Sequence, residues 1–326
     1  MKKTILIFCF VLFIFTGCTD KNNDELNTEK ASNSGTESNS DKILIGFVTK
    51  TIKNPYFEKM EFGIKNAARN LDIRLISKST TSEVSTQHQY RIVEEMIEKG
   101  VQAIIIAAVS DINILPALKK AEDKGIKIIL VDEKFSKADL KLFGLSEMPF
   151  IAVDNEQGAY LAGKYLAQTF SKPTKVAIIE GLMHTTNAQL RKKGAMRAFN
   201  ENKLVTVVAS ESGEWEMEQA KLVTREILKK YNDLGAIFCA NDFMAFGVLL
   251  VLKELGRNDI KVSGYDNVFE AKELILNGDL LLTIDQHPEI QGELALQYAI
   301  DLIQGKHVKQ NTFVDVSVVT YESFKK

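Results

Sequence analysis

Short apolar runs alternate with stretches of helical hydrophobic spacing along most of the chain. The first apolar runs lie at residues 43–48, 74–76, 103–107 and 128–131. Between them, residues 56–70, 86–99 and 114–124 place apolar side chains at the spacing of amphipathic helices. Strands that alternate with helices in this way are typical of a parallel sheet covered on both faces. The pattern therefore predicts an α/β fold built on doubly wound parallel sheets.

A second series of predicted strands continues the pattern through the C-terminal half of the chain. It opens after a run at residues 151–153 and continues at 176–179, 205–209, 236–239, 262–265 and 281–284. Residues 98–107 and 232–240 share the order helix end, glycine and buried strand, a faint repeat that predicts two similar lobes. The folded part of the chain, residues 42–326, also exceeds the usual size of a single core.

The chain is expected to cross between these lobes three times. The crossings would lie near residues 153–154, near 286–287 and in a strand at about 314–319, because these points separate the two series of strands. The first lobe would comprise residues 42–152 and 287–313, and the second lobe residues 153–286 and 314–326. Crossings that lie side by side would form a hinge.

The N-terminus is typical of a secretory signal, which is predicted at residues 1–17. Its apolar run, residues 5–15, is shorter than the roughly 20 residues that span a bilayer. The small residues before Cys18 resemble the bacterial lipobox, although Phe15 stands where leucine is usual. Cys18 would then carry lipid, and residues 18–41, which are polar, would form a flexible tether to the membrane. An ordinary signal peptide with an unrelated cysteine is the alternative.

Composition excludes several classes of protein. The chain has 41 basic and 43 acidic residues, and its net charge of −2 becomes about −4 without the signal, which argues against nucleic acid as a partner. Besides Cys18, only Cys239 would remain in the mature chain, in an apolar run that indicates a core position. Glycine-rich nucleotide loops, nucleophilic serine motifs and histidine metal motifs are missing from the sequence. We therefore expect no cofactor, no metal and no enzymatic activity.

Polar residues follow several predicted strands at the point where each strand ends. The carboxyl ends of parallel strands share one edge of a sheet, and ligands bind there. We expect the following side chains to meet in one cleft: Asn54, Asp132, Arg191, Asn241, Asp266 and Gln286. Each of these residue types is by itself more often a turn or cap residue, so only their shared placement favours a site.

Three aromatic residues, Tyr56, Phe57 and Trp215, lie near the same predicted edge. A sugar has hydroxyls around its rim and apolar C–H groups on its faces, so a sugar site needs polar side chains around aromatic plates. Asp accepts hydrogen bonds, Arg donates them, and Asn or Gln does either. The set therefore predicts a site for a monosaccharide or a related polyol.

Seven short motifs in this order resemble those of ribose-binding-type periplasmic proteins, from about Ile43 to Val319. They are Asn54-Pro-Tyr-Phe57, Ile129-Leu-Val-Asp132, Arg191 three residues before Gly194, Glu214-Trp215, Ala240-Asn-Asp242, Gly264-Tyr-Asp266 and Ile284-Asp-Gln286. The resemblance implies a type I solute-binding fold whose two lobes close on a sugar. It also implies that the three aromatic residues stack on the sugar and that the polar residues above bind its hydroxyls.

Two positions depart from the family pattern. Glu133 follows Asp132 where the family usually has arginine, and Lys50 stands where a small polar residue is common. The two side chains could pair with each other or face water, as charges at the rim of a site often do. If instead Glu133 contacts the ligand, with Lys50 as an additional contact, an acceptor-only carboxylate would favour a cationic ligand such as an amino sugar.

The sequence leaves two functions open. The first is an extracytoplasmic lipoprotein, expected to be a monomer, that presents a sugar to an ABC importer. The second is a lipoprotein that senses its ligand and signals to a membrane receptor kinase or a chemotaxis receptor. The lobes also resemble sugar-responsive repressors, but an export signal and a tether stand where those proteins have a DNA-binding helix-turn-helix.

Overall fold

A computed structural model of the chain describes residues 42–69 and 71–325. The predicted signal, the lipidated Cys18 and the tether lie outside the described residues. The elements of the N-terminal half are, in chain order, β1 (Ile43–Thr49), α1 (Pro55–Ala68), β2 (Ile73–Ser79), α2 (Thr86–Glu98), β3 (Ala103–Ile106), α3 (Leu115–Asp123), β4 (Lys127–Val131), α4 (Lys137–Leu142) and β5 (Phe150–Val153). The short helix α4 was not predicted.

The C-terminal half continues the alternation of strands and helices. Its elements are α5 (Asn155–Gln168), β6 (Thr174–Glu180), α6 (Thr186–Asn200), β7 (Val205–Ser212), α7 (Met217–Lys230), β8 (Leu234–Cys239), α8 (Asp242–Glu254), β9 (Lys261–Ser263), α9 (Phe269–Asn277), β10 (Leu282–Asp285), α10 (Pro288–Ile303), β11 (Asn311–Val314) and β12 (Ser317–Thr320). No helix in the described part of the chain is long and apolar enough to cross a membrane.

The strands form two six-stranded sheets, one in each lobe. The first sheet has the order β11-β5-β4-β3-β1-β2 and the second the order β12-β10-β9-β8-β6-β7. All neighbours are parallel except β12, which runs antiparallel to β10. The predicted α/β fold with two doubly wound lobes is therefore confirmed, with one antiparallel edge strand that the sequence did not indicate.

The buried faces of the first sheet follow the alternation of a strand. In β3, Ile104 and Ile106 pack in the core on one face of the sheet with α2 and α3. Ala103 and Ile105 pack on the other face with α1 and α10. Because successive side chains of a strand point to opposite faces, a strand that is apolar throughout must be covered on both. The second lobe has its own core, which includes Cys239 as predicted.

The third crossing between the lobes differs from its prediction. Instead of one strand at 314–319, the structure has β11 in the first sheet and β12 in the second, separated by residues 315–316. Local sequence could not show this break, because apolar and polar residues alternate without interruption from Val314 to Val318, across both strands. Val153 and Val314 pair in the first sheet, so this lobe extends one residue further at both points than predicted.

Candidate functional site

The carboxyl ends of both sheets face a small cavity between the lobes. Twelve residues line it: Lys50, Asn54, Tyr56, Phe57, Glu83, Asp132, Asn187, Arg191, Trp215, Asn241, Asp266 and Gln286. This set contains Lys50 and every residue proposed from the sequence as a ligand contact except Glu133. Contacts also join the lobes around the cavity, since Lys53 Nζ lies 2.9 Å from Glu216 Oε1 and Lys59 Nζ donates to the backbone oxygen of Asn267 at 2.6 Å.

Three of the lining residues have backbone conformations that non-glycine residues rarely adopt. The φ angles of Asp132, Trp215 and Asp266 are 65°, 64° and 117°. Such positive angles are strained in L-residues and cluster at functional sites. Asp132 is the central residue of a tight turn, in which the backbone N–H of Glu133 donates to the Val131 backbone oxygen at 2.7 Å. The turn directs neighbouring side chains differently, so Asp132 lines the cavity and Glu133 does not.

A buried ion pair between Arg191 and Asp266 forms the polar centre of the second lobe's wall. The Arg191 side chain donates from Nε to Asn155 Oδ1 at 2.7 Å and from one terminal nitrogen to the Ala240 backbone oxygen at 2.8 Å. It also stacks on the Tyr265 ring, 3.8 Å from the ring centroid, and approaches Asp266 Oδ1 at 3.4 Å. Because these contacts hold the guanidinium in place, its remaining donors are preorganised to face the cavity.

Asp266 also receives hydrogen bonds from the hinge and from the first lobe. Gln286 Nε2 donates to Oδ1 at 2.6 Å, and Asn54 Nδ2 donates to Oδ2 at 3.4 Å. Burial raises the pKa of Asp266 to about 6, because the lowering effect of Arg191 and of these hydrogen bonds does not fully offset desolvation. Additional hydrogen-bond donors, such as the hydroxyls of a ligand, would therefore stabilise the ionised form of Asp266.

Lys50 lies at the first lobe's wall, is only 3% exposed, and pairs with two carboxylates. Its Nζ lies 2.8 Å from Asp132 Oδ2 and 3.3 Å from Glu83 Oε2. Burial lowers the pKa of Lys50, but the charges of Asp132, Glu83 and Glu133 together raise it by more, so the ammonium stays charged. Lys50 therefore does not face water, and its ion pairs are with Asp132 and Glu83, because β1 ends between the loops that carry them.

Two residues of the site cap helices and also line the cavity. Asn54 Oδ1 accepts from the Tyr56 N–H at 3.0 Å at the start of α1, and Asn241 Oδ1 accepts from the Met244 N–H at 2.8 Å at the start of α8. A cap uses only the side-chain oxygen. One N–H of the Asn54 amide donates to Asp266, and one N–H of the Asn241 amide donates to the Trp215 backbone oxygen at 3.5 Å, so each amide keeps a second N–H for a ligand. Capping and ligand binding are thus compatible at these positions.

The aromatic residues close the apolar sides of the cavity. The Tyr56 and Phe57 rings meet edge to face with centroids 5.1 Å apart, and the Tyr56 hydroxyl donates to Gln291 Oε1 at 3.2 Å. Trp215 rests on Gly181, where an added Cβ would lie 2.1 Å from the indole ring. Glycine at 181 therefore allows the indole to lie flat against the end of β6.

Sequence reasoning missed two lining residues, Glu83 and Asn187. Glu83 lies in the loop between β2 and α2, where nothing distinguishes it from a surface charge. Asn187 lies in the first turn of α6, and its Oδ1 accepts from the Thr185 hydroxyl at 2.7 Å, which leaves its amide nitrogen free to donate. The position of Arg191 one turn later on α6 was the available signal for Asn187, because residues four apart share a helix face.

The cavity offers carboxylates, amides and two cations around aromatic walls. Every type of hydroxyl hydrogen bond can be matched there without a metal ion or cofactor. In the described part of the chain, no group of three His, Cys, Asp or Glu side chains is arranged to hold a metal. The arrangement is that of a binding site for a small, polar, ring-shaped solute enclosed by two lobes.

Comparison with known proteins supports the interpretation of the cavity as a binding site for a small solute. Residues 45–307 match the model of a family described as periplasmic binding protein domain. The chain belongs to the periplasmic binding protein family, and its resemblance to the ribose-binding type is confirmed. Membership places the protein outside the cytoplasm. It also confirms the prediction that the protein is not an enzyme, since the relatives it matches are named as sugar-binding or sugar-import binding proteins.

Three relatives have names that state a ligand. The chain is 36% identical over 269 residues to the D-ribose/D-allose-binding protein of Pseudomonas aeruginosa, covering 82% of this chain and 84% of that one. It is 30% identical over 256 residues to the D-allose-binding periplasmic protein of Escherichia coli, covering 78% and 82%. A crystal structure of a solute-binding protein from Actinobacillus succinogenes with bound D-allose superimposes with a TM-score of 0.81 at 37% identity, covering 86% of this chain and 98% of that one.

Proposed function

We propose that this protein captures a neutral monosaccharide between its two lobes and presents it to an ABC importer. The observation that carries the proposal is the cavity, in which donors and acceptors from both lobes surround aromatic walls. The ligands named for the relatives, D-ribose and D-allose, are sugars of this kind.

Each group has a role that follows from its chemistry. Asp266 and Asp132 accept hydrogen bonds from sugar hydroxyls, whereas Arg191, Asn54 and Asn241 donate to sugar oxygens. Tyr56, Phe57 and Trp215 cover the C–H faces of the ring. Gln286 links the hinge to Asp266 at 2.6 Å, so it couples the position of the hinge to the ligand-binding carboxylate. Because the contacts come from both lobes, the ligand favours the closed form.

The charges of the cavity favour a neutral sugar over an amino sugar. The amino-sugar hypothesis needs a free carboxylate at the ligand, but Glu133 does not line the cavity. Asp132 and Glu83 do line it, and both are already paired with the Lys50 ammonium. Asp266 is likewise paired, with Arg191, so a cationic ligand would find no unpaired carboxylate among the residues that line the cavity.

Titration calorimetry with residues 42–326, which form one compact unit, tests the proposal. We expect D-allose or D-ribose to bind with a dissociation constant of micromolar or tighter, which corresponds to about 8 kcal/mol. Glucosamine should bind more weakly than either, and glycerol serves as the control for nonspecific polyol binding. The absence of binding across a wider panel of neutral sugars would contradict the proposed function. Tighter binding of glucosamine would contradict only the preference for a neutral ligand.

We also propose that Cys18 carries a lipid that anchors the protein to the membrane. The support is the order of charged, apolar and small residues before Cys18. In cells, Cys18→Ser should move the protein from the membrane fraction to the soluble fraction and abolish its labelling by a fatty-acid analogue. The matched control, Cys9→Ser, changes a cysteine inside the predicted signal and should leave both unchanged. Membrane association that survives Cys18→Ser would contradict the anchor.

A further inference from the structure

Gln291 is a buried amide of α10 for which the proposed sugar site provides no role. It is fully buried and does not line the cavity. Its Oε1 accepts from the Tyr56 hydroxyl at 3.2 Å, and its Nε2 donates to the backbone oxygen of Gln286 at 2.9 Å. Both partners are buried and both line the cavity. Gln291 therefore joins two residues of the site without lining the cavity itself.

The hydrogen bond to Tyr56 fixes the position of an aromatic wall. The helices α1 and α10 approach closely, since an added Cβ at Gly292 would collide with the Met60 backbone oxygen. This approach brings Gln291 to the Tyr56 side chain, in the first turn of α1. Burial holds the pKa of the Tyr56 hydroxyl well above its usual range, so the hydroxyl keeps its proton and remains a donor. A buried donor needs its acceptor, so the Tyr56 ring is held where Gln291 lies.

The hydrogen bond to Gln286 fixes the backbone where the chain crosses between the lobes. His287 has a φ angle of 50° and Pro288 begins α10, so the chain turns sharply after Gln286. The Gln286 carbonyl precedes the helix cap and takes no part in the hydrogen bonds of the helix, and the Gln291 side chain supplies it with a donor. The Gln286 side chain in turn donates from Nε2 to Asp266 Oδ1 at 2.6 Å. The position of Asp266 in the second lobe thus depends on backbone that Gln291 holds to the first lobe.

We propose that Gln291 is a positioning residue of the sugar site, which fixes the spacing between the Tyr56 ring and the Asp266 carboxylate. Buried hydrogen bonds connect the two walls through the hinge, in the order Tyr56, Gln291, Gln286 and Asp266. A sugar that stacks on the ring and donates to the carboxylate needs that spacing, so Gln291 governs affinity without touching the ligand. Such a network is rigid only when each member is satisfied. The proposal rests on the proposed function for the identity of the ligand.

Gln291→Met tests the proposal by calorimetry with D-allose and D-ribose, because it keeps the size of the side chain and removes its hydrogen bonds. We expect both dissociation constants to rise about tenfold, since the Tyr56 hydroxyl and the Gln286 carbonyl lose a buried partner. Gln89→Met is the matched control. Gln89 is also a fully buried glutamine of the first lobe, and it makes two hydrogen bonds to the backbone of the loop after β3, away from the cavity lining. This control should lose similar stability and keep wild-type affinity.

Double variants distinguish positioning from a general loss of packing. Tyr56→Phe removes the hydroxyl, keeps the ring and should weaken binding less than Gln291→Met does. The double variant Tyr56→Phe/Gln291→Met should bind about as Gln291→Met does, since the two residues act through one hydrogen bond. In a Gln286→Ala background the effect of Gln291→Met should shrink, because the link to Asp266 is already lost. Additive losses would overturn the proposal, as would wild-type affinity of Gln291→Met or an equal loss of affinity in Gln89→Met.

A ligand-free measurement separates this proposal from the proposed function. Spin labels at Leu142→Cys in the first lobe and Leu222→Cys in the second, both at exposed positions, report the distance between the lobes. A hinge without its anchor to the first lobe should allow a wider range of distances, so Gln291→Met should broaden the distribution and Gln89→Met should not. A distribution that Gln291→Met leaves unchanged would overturn the proposal. Failure of the proposed function would instead show as wild-type protein that binds no sugar, and the distance measurement would still test Gln291.

Discussion

Replacing Asp266 with asparagine is expected to weaken monosaccharide binding by about a hundred- to a thousandfold while the fold stays intact. The change removes the charge that accepts from sugar hydroxyls and leaves the buried Arg191 guanidinium without its carboxylate, and truncating such a pair costs about 2–5 kcal/mol in binding. Asparagine has the same shape and tolerates positive φ angles, which the backbone at 266 requires. Calorimetry with D-allose or D-ribose measures the loss.

Asp279→Asn is the matched control, because Asp279 is an exposed carboxylate of the same lobe. It should bind sugar as the wild type does, and both variants should show the wild-type circular dichroism spectrum. If Asp266→Asn binds sugar with wild-type affinity, Asp266 is not a ligand contact and the assignment of the site is wrong.

The pH dependence of binding gives a second measure of the same residue. Sugar hydroxyls donate to the ionised carboxylate, and the pKa of Asp266 is about 6 in the closed cavity. Affinity should therefore fall about tenfold between pH 7 and pH 5, and this dependence should be lost in Asp266→Asn. A pKa raised by folding also means that Asp266 contributes stability at low pH, and that this contribution is lost as the pH rises through about 6. Hydrogen bonds from a bound sugar to the ionised Asp266 should restore part of this stability at neutral pH.

Gly63→Ala is expected to lower the free energy of unfolding by about 2 kcal/mol and the melting temperature by about 5 °C. A Cβ at Gly63 would lie 2.1 Å from the backbone oxygen of Glu289, in the first turn of α10. Backbone cannot rotate away as a side chain can, so α1 and α10 must separate. Because α1 carries Tyr56 and Phe57, sugar binding should weaken as well. Thermal and urea unfolding measure the effect.

Asn66→Ala is the control for helix propensity, because Asn66 is exposed on the same helix. Alanine favours a helix over both glycine and asparagine, so this variant should be at least as stable as the wild type. A Gly63→Ala protein of unchanged or higher stability would show that the two helices can move apart without loss of packing, contrary to the contact seen here.

Most of the binding cavity could be inferred from residues that follow strands. Asp132, Asn241 and Asp266 each come directly or almost directly after an apolar run, and parallel strands bring such positions to one edge. Asn54 and Arg191 lie at the starts of helices that follow strands, so the same argument reaches them. This inference needs no knowledge of which strands are neighbours, which explains why it works from sequence alone.

The partners of charged residues could not be inferred in the same way. Glu83 and Lys50 are 33 positions apart in the chain and meet only because β2 and β1 are neighbours in the sheet. The division of residues 311–320 between two sheets depends likewise on which edge each strand meets.

The sequence by itself determined the alternation of strands and helices, the two-lobed α/β class and the polar edge where a sugar can bind, because hydrophobic periodicity and strand ends are local properties of the chain. Only the tertiary structure decided that Lys50 is held between Asp132 and Glu83, that Asn187 joins the cavity, and that Glu133 does not line the cavity. These are contacts between distant segments, and their geometry depends on sheet order, on the strained turn at Asp132 and on how the lobes meet.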